Sequence, residues 1–134
     1  MFSATFEISV SADSLEAGYV ALFPVLEDWT EGMEDFAPGI ANWTTRRASA
    51  TWSVDGAGPP TSRATAEIGT FIPNVANARH QVSLDPAAVQ SWLGGINYGM
   101  ALVGIDDEDQ GTWLVTRNNV DAAARPCLVV TYVP

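Results

Sequence analysis

The chain has 134 residues, enough for one domain with a buried core, and its 47% hydrophobic and 16% charged residues describe a folded, loop-rich protein rather than a disordered one. Sixteen acids face six arginines and no lysine, a net charge of −10 at pH 7 that repels phosphate backbones and anionic membranes. Nucleic acid and membrane surfaces are thereby excluded as general partners; no apolar run approaches the roughly 18 residues of a membrane span, and no signal peptide is visible at Met1-Phe2-Ser3-Ala4.

In chain order, Phe2, Ala4, Phe6, Ile8 and Val10 alternate with Ser3, Thr5, Glu7 and Ser9. That period of two predicts a strand over residues 2–10 with one face on a core. Residues 19–25 form a second strand, apolar on both faces and so more central, with Pro24 marking an edge or bulge near its end. Asp13-Ser14 and Gly18 supply the turn between them.

From residue 33 to 70 the alternation weakens. Pro38-Gly39 and residues 55–60 are turn clusters, and the stretch reads as a long irregular excursion carrying Trp43 and Trp52, with one short strand at 50–54. Residues 65–72 form a strand stopped by Pro73, and residues 80–84 alternate again. Asp85 is an N-cap and Pro86 suits the first helical position, predicting one short helix near residues 86–93, ended by Gly94-Gly95. Val89, Trp92 and Leu93 share its core face. Strands follow at 100–105 and 112–117 around an acidic turn, and Pro126 leads into a last strand at 127–133. The sum is a single all-β domain over residues 1–134, an antiparallel β-sandwich of jelly-roll type.

Signals for catalysis are weak. His80 is the single histidine, in an alternating strand, and no Gly-x-Ser-x-Gly elbow is present. Cys127 is the single cysteine, which excludes an intrachain disulfide and a multi-cysteine zinc site; between Pro126 and Leu128 it reads as an inert core thiol. Glu27, Asp28, Glu31, Glu34 and Asp35 crowd one segment, but glycoside hydrolysis needs two acids facing across a cleft, and solvated loop acids are the simpler reading. No phosphate-cradling glycine loop occurs. The chain is therefore expected not to be an enzyme and to need no cofactor, with calcium at Asp106, Asp107 and Asp109 the one candidate exception, because a tight acidic turn offers hard oxygen ligands. Of the five tryptophans, Trp43 and Trp52 are candidates for an exposed glycan-binding platform, whereas Trp29 and Trp92 are expected in the core.

Residues 3–8, Trp29-Thr30-Glu31-Gly32, Val89-Gln90-Ser91-Trp92, Asn97-Tyr98-Gly99 and Arg125-Pro126-Cys127-Leu128 occur in an order and spacing that resembles the DNRLRE domain. The resemblance implies a non-catalytic β-sandwich used for attachment or as a spacer in bacterial surface and secreted proteins; some relatives of that domain are carbohydrate-binding modules. In that family further strands precede the segment like Ser3-Ala4-Thr5. Residues 2–10 are thus expected to expose a sheet edge, a template for pairing with another chain, and Phe2, Phe6 and Ile8 are candidate oligomer-interface residues. The expected function is a structural or attachment module on a particle surface, a bacteriophage virion protein for capsid decoration or tail association. It would be a homo-oligomer or part of a larger assembly, at a virion surface or extracellular. The alternative is a secreted carbohydrate-binding module of a surface protein or polysaccharide-acting enzyme, with a glycan as partner.

Overall fold

The computed structural model describes residues 2–11, 18–32, 39–105 and 112–132. Among them the strands run in chain order as β1 (Phe2–Ser9), β2 (Tyr19–Pro24), β3 (Thr45–Arg47), β4 (Ala50–Thr51), β5 (Gly69–Phe71), β6 (Arg79–Leu84), β7 (Met100–Ile105) and β8 (Cys127–Tyr132). Helix α1 (Pro86–Gly94) lies between β6 and β7, and a 3-10 turn, Ala122–Ala124, precedes β8. The described residues contain no helix long and apolar enough to cross a membrane.

The strands make two three-stranded antiparallel sheets, ordered β6-β1-β8 and β5-β2-β7, plus the small β3-β4 hairpin. The register sets Phe6 opposite Val82 on one side and Leu128 on the other. In the second sheet Leu22 faces Gly69 and Leu102. Alternation along β1 sends Ala4, Phe6, Ile8 and Val10 into one core with Val20 and Leu22 of β2, Phe71 of β5 and Val82 and Leu84 of β6. Ala21, Phe23 and Val25, on the opposite face of the β2 path, are buried as well. The Arg63 guanidinium lies 4.1 Å from the centroid of the Phe23 ring, a cation–π contact that helps close this second face. Double-sided burial explains why β2 reads as apolar throughout, and it is the central strand of its sheet.

Helix α1 begins where its capping residues place it: the Asp85 carboxylate accepts a 2.9 Å hydrogen bond from the Ala87 amide, and Pro86 occupies the first turn. Val89 is buried in the core and Trp92 packs half-buried beside it. Leu93 is 58% exposed, so only part of the expected helical face is covered.

Several expectations are corrected. Residues 2–10 do not expose an edge: β1 is the central strand of its sheet, paired on both sides by segments 70–80 and 120–130 residues away. Phe6 and Ile8 are buried in the chain's own core and Phe2 packs against it, which removes the reason for reading these three as an interface. Residues 112–117 form no strand; Leu114 makes an isolated bridge to Val10, because β8 already occupies β1 from Phe2 to Glu7 and leaves only its last residues to pair. Cys127 is exposed rather than buried, since it opens an edge strand. Trp29, expected in the core, is 42% exposed, with its indole N–H donating to the Tyr98 carbonyl at 2.7 Å.

Candidate functional site

Polar side chains gather first at the exit of β2. Glu27 Oε2 accepts hydrogen bonds from the Ser53 amide (3.0 Å) and the Ser62 hydroxyl (2.6 Å), and Oε1 accepts from the Ser53 hydroxyl (2.5 Å). Ser62 is fully buried, and its Oγ in turn accepts from the Val54 amide at 2.9 Å. Arg46 donates to the Asp28 carboxylate and, at 2.9 Å, to the Asp28 carbonyl, while Arg47 Nε sits 2.8 Å from Asp28 Oδ2. Arg46 Nε is buried without a hydrogen-bond partner, 4.0 Å from Glu27 Oε1. Burial pushes the Glu27 carboxyl up, but the hydrogen bonds from Ser53 and Ser62 and the nearby Arg46 charge outweigh it and hold the pKa below its ordinary value. These acids are engaged as acceptors and ion-pair partners, and their geometry is that of a clamp tying the hairpin excursion to β2.

The hairpin also separates the two tryptophans expected to form a platform. Trp52 is buried, its indole N–H donating to the Asn42 carbonyl at 2.9 Å. Trp43 is 72% exposed and lies so close to Gly56, itself at φ +67, that a Cβ there would meet its ring at 2.5 Å. One anchors the loop from inside and the other lies on its surface. Asp106, Asp107 and Asp109 lie outside the described residues, and among the described residues no group of three or more His, Cys, Asp or Glu is placed to hold a metal ion. His80 is half-buried on β6, with Nδ1 3.3 Å from the Ala78 carbonyl.

A second polar set lies across the outer face of the β6-β1-β8 sheet. Glu7 accepts from Arg79 Nε at 2.8 Å and from the Gln81 amide at 2.9 Å, and Arg79 Nη2 lies 3.1 Å from Cys127 Sγ. The Arg79 hydrogen bond, followed by those from Gln81 and Cys127, lowers the Glu7 pKa. Glu31 pairs with Arg117 at 2.6 Å, and Arg125 Nε donates to the Asn119 carbonyl at 2.8 Å. With Arg63 over Phe23, all six arginines have a structural partner.

Among the described residues each three-stranded sheet has two edge strands, β6 and β8 in one and β5 and β7 in the other, and β8 is the most exposed of them. It pairs with β1 alone, and its other side has no strand among the described residues. Leu128, Val130 and Tyr132 share the inner face with Phe6, Ala4 and Phe2, yet Leu128 is 42% and Tyr132 59% exposed; Val129, on the outer face, is 44% exposed. Cys127–Tyr132 holds no charge, no lysine and no proline. Sequence reasoning located this strand but read Cys127, at its start, as a core thiol. No local signal distinguishes a buried strand of that composition from an open edge. No protein-family model matches the chain, and neither a curated protein nor a solved structure does.

Proposed function

We propose that this chain is a non-catalytic structural or attachment module, a β-sandwich of jelly-roll type that joins a second copy of itself through β8 within a larger assembly such as a bacteriophage virion surface. The observation that carries the reading is the β8 edge: six uncharged residues, largely apolar and exposed, with a free ladder side among the described residues. Folded proteins blunt such edges with lysine, proline or a cover, because an open one recruits strands. The −10 net charge opposes self-approach, and β8, uncharged like edge strand β7 but more exposed, is a place where two copies would meet with little repulsion. Antiparallel pairing of β8 with its own copy is self-complementary and closes as a two-fold dimer. The nested pairing of β1 with β8 and β2 with β7, around one core, supports the jelly-roll reading.

The test is sedimentation equilibrium on the whole chain and on Val129→Lys. The wild type should show twice the 14.3 kDa chain mass at tens of micromolar. The variant should be a monomer with nearly unchanged Tm, because a lysine on the edge blunts strand pairing and the site is solvent-exposed. A monomeric wild type, or a dimer indifferent to the lysine, would refute the proposal.

A further inference from the structure

Where β1 ends, the outer face of the first sheet runs into an open cleft of about 460 Å³. Its walls come from the end of β1 at Ser9, the entry to β6 at Asn77 and Arg79, and the stretch before β8 that holds Asn119 and Asp121. Backbone pairing fixes two of these walls: the Val10 amide donates to the Ala78 carbonyl at 2.9 Å, and the Val115 amide donates to the Ser9 carbonyl at 2.9 Å. Ala4, Phe6, Ile8 and Val10 point into the core, so Ser9 faces outward, with Arg79 directly opposite it. The third wall is tied by its own side chains. The Asn119 side-chain oxygen accepts from the Asp121 amide at 2.9 Å, and Asp121 Oδ1 accepts from the Ala123 amide at 3.0 Å. These bonds leave Asp121 Oδ2, the Asn119 side-chain NH2, the Asn77 side chain and the Ser9 hydroxyl without a partner among the described residues.

Charge selects what this cleft can take. Arg79, the one cation in the lining, is spent on the protein: Nε on Glu7 at 2.8 Å, Nη1 on the Ala123 and Arg125 carbonyls at 2.9 and 3.1 Å, and Nη2 on Cys127 Sγ at 3.1 Å. Glu7 balances its charge, whereas Asp121 is in no ion pair among the described residues. The chain has no other cation to give it. It has no lysine; Arg46 and Arg47 are held at Asp28, Arg63 at Phe23 and Arg117 at Glu31, and Arg125 donates to the Asn119 carbonyl. An anion would meet a free carboxylate oxygen inside a field of −10, so phosphate, sulfate and acidic peptides are opposed. A cation meets that same carboxylate, with hydroxyl and amide oxygens beside it to replace water. The volume lies in the usual range for small-ligand sites. It admits one long side chain and the peptide groups next to it, which the Asn77 and Asn119 amides can bond. Attraction by the whole field grows with the charge of the visitor, so a basic protein surface is steered here more strongly than a single small amine.

We propose that this cleft receives a lysine or arginine side chain from a basic segment of a partner protein, with Asp121 as its ion-pair partner and Ser9, Asn77 and Asn119 bonding the head group and the adjoining peptide groups. This goes beyond the assembly reading and does not depend on it. Amide chemical shifts of the isotope-labelled whole chain are followed at low salt as capped Gly-Gly-Lys-Gly-Gly or its Arg, Gln or Glu counterpart is added, and then butylamine. Shifts should centre on Ser9, Asn77, Asn119 and Asp121 with the two basic peptides, and be absent with the Gln and Glu peptides. Affinity for the lysine peptide should fall about fivefold in Asp121→Asn, as for a partly screened ion pair. That variant's amide oxygen can still accept from the Ala123 amide, so its thermal unfolding should match the wild type. Glu67→Gln, which removes one charge from an exposed site elsewhere, should stay within twofold. Butylamine should bind about fivefold more weakly than the lysine peptide, because it lacks the peptide groups. The proposal fails if neither basic peptide shifts these residues, if the Gln or Glu peptide shifts them equally, or if Asp121→Asn stays within twofold of wild type. It fails also if Glu67→Gln loses as much as Asp121→Asn, which would leave only the general field, or if butylamine matches the peptide, which would make the cleft a site for free amines.

Discussion

Replacing Glu27 by Ala tests whether the excursion after β2 is held by polar clamps rather than by a hydrophobic core of its own. The substitution deletes an acceptor of three hydrogen bonds, from the Ser53 amide, the Ser53 hydroxyl and the Ser62 hydroxyl. It also removes the carboxylate oxygen that lies 4.0 Å from the buried, unpartnered Arg46 Nε. Hydrogen bonds to a charged group contribute roughly 1.5–3 kcal/mol each and are not additive, and breaking a buried pair costs about 3–5 kcal/mol. The Glu27 side chain retains 18% exposure, so water recovers part of the loss; the expected cost is about 2–4 kcal/mol, a fall in Tm of roughly 10 °C for a chain of this size. Thermal and urea unfolding followed by tryptophan fluorescence read it directly. The pKa direction adds a second arm. The Glu27 pKa is lowered below 4.5 in the fold, so the native state holds fewer protons than the unfolded chain. Its stabilisation is complete above about pH 4.5 and is lost as pH falls through the folded value. Glu27→Gln should flatten that part of the acid limb, and the slope that remains belongs in part to Glu7, which is lowered by Arg79. A loss under about 1 kcal/mol, with wild-type and Gln pH profiles parallel, would refute the clamp.

Gly69→Ala should destabilise by about 1–3 kcal/mol, because a Cβ on β5 would come within 2.9 Å of both Leu84 Cδ2 and the Ser83 carbonyl, crowding the contact between β5 and β6; urea unfolding checks it, and an unchanged midpoint would mean the strands separate freely there. Trp92→Ala should cost about 1–3 kcal/mol rather than the 3–5 of a fully buried tryptophan, because the ring is half-buried against the core; a loss below about 0.5 kcal/mol in the same assay would place the ring outside the core.

What the sequence makes legible is local. Strict alternation in residues 2–10 marks β1, apolarity on both faces marks β2 as central, and the Asp85-Pro86 cap places α1 within a residue of its start. What it hides is who pairs with whom. β1 is central because residues 79–84 and 127–132 flank it, and nothing near residue 2 encodes those partners. The β3-β4 hairpin has no apolar period to betray it: it rests on the Asn42 side chain accepting from the Thr44 and Thr45 amides at 2.9 and 2.8 Å, and on Trp52 donating back to the Asn42 carbonyl. That arrangement splits Trp43 from Trp52, although both sit in the same irregular stretch.

The β8 edge runs from Cys127 opposite Glu7 to Tyr132 opposite Phe2. Under the proposed assembly, joining two copies antiparallel through β8 would continue the sheet across a dyad perpendicular to it, leaving both outer faces on the same side of the joined sheet. With each of the six arginines committed to holding loops, strands or rings in place, the surface keeps its acidic field toward solvent, and the uncharged, exposed β8 edge is a place where contact would escape it.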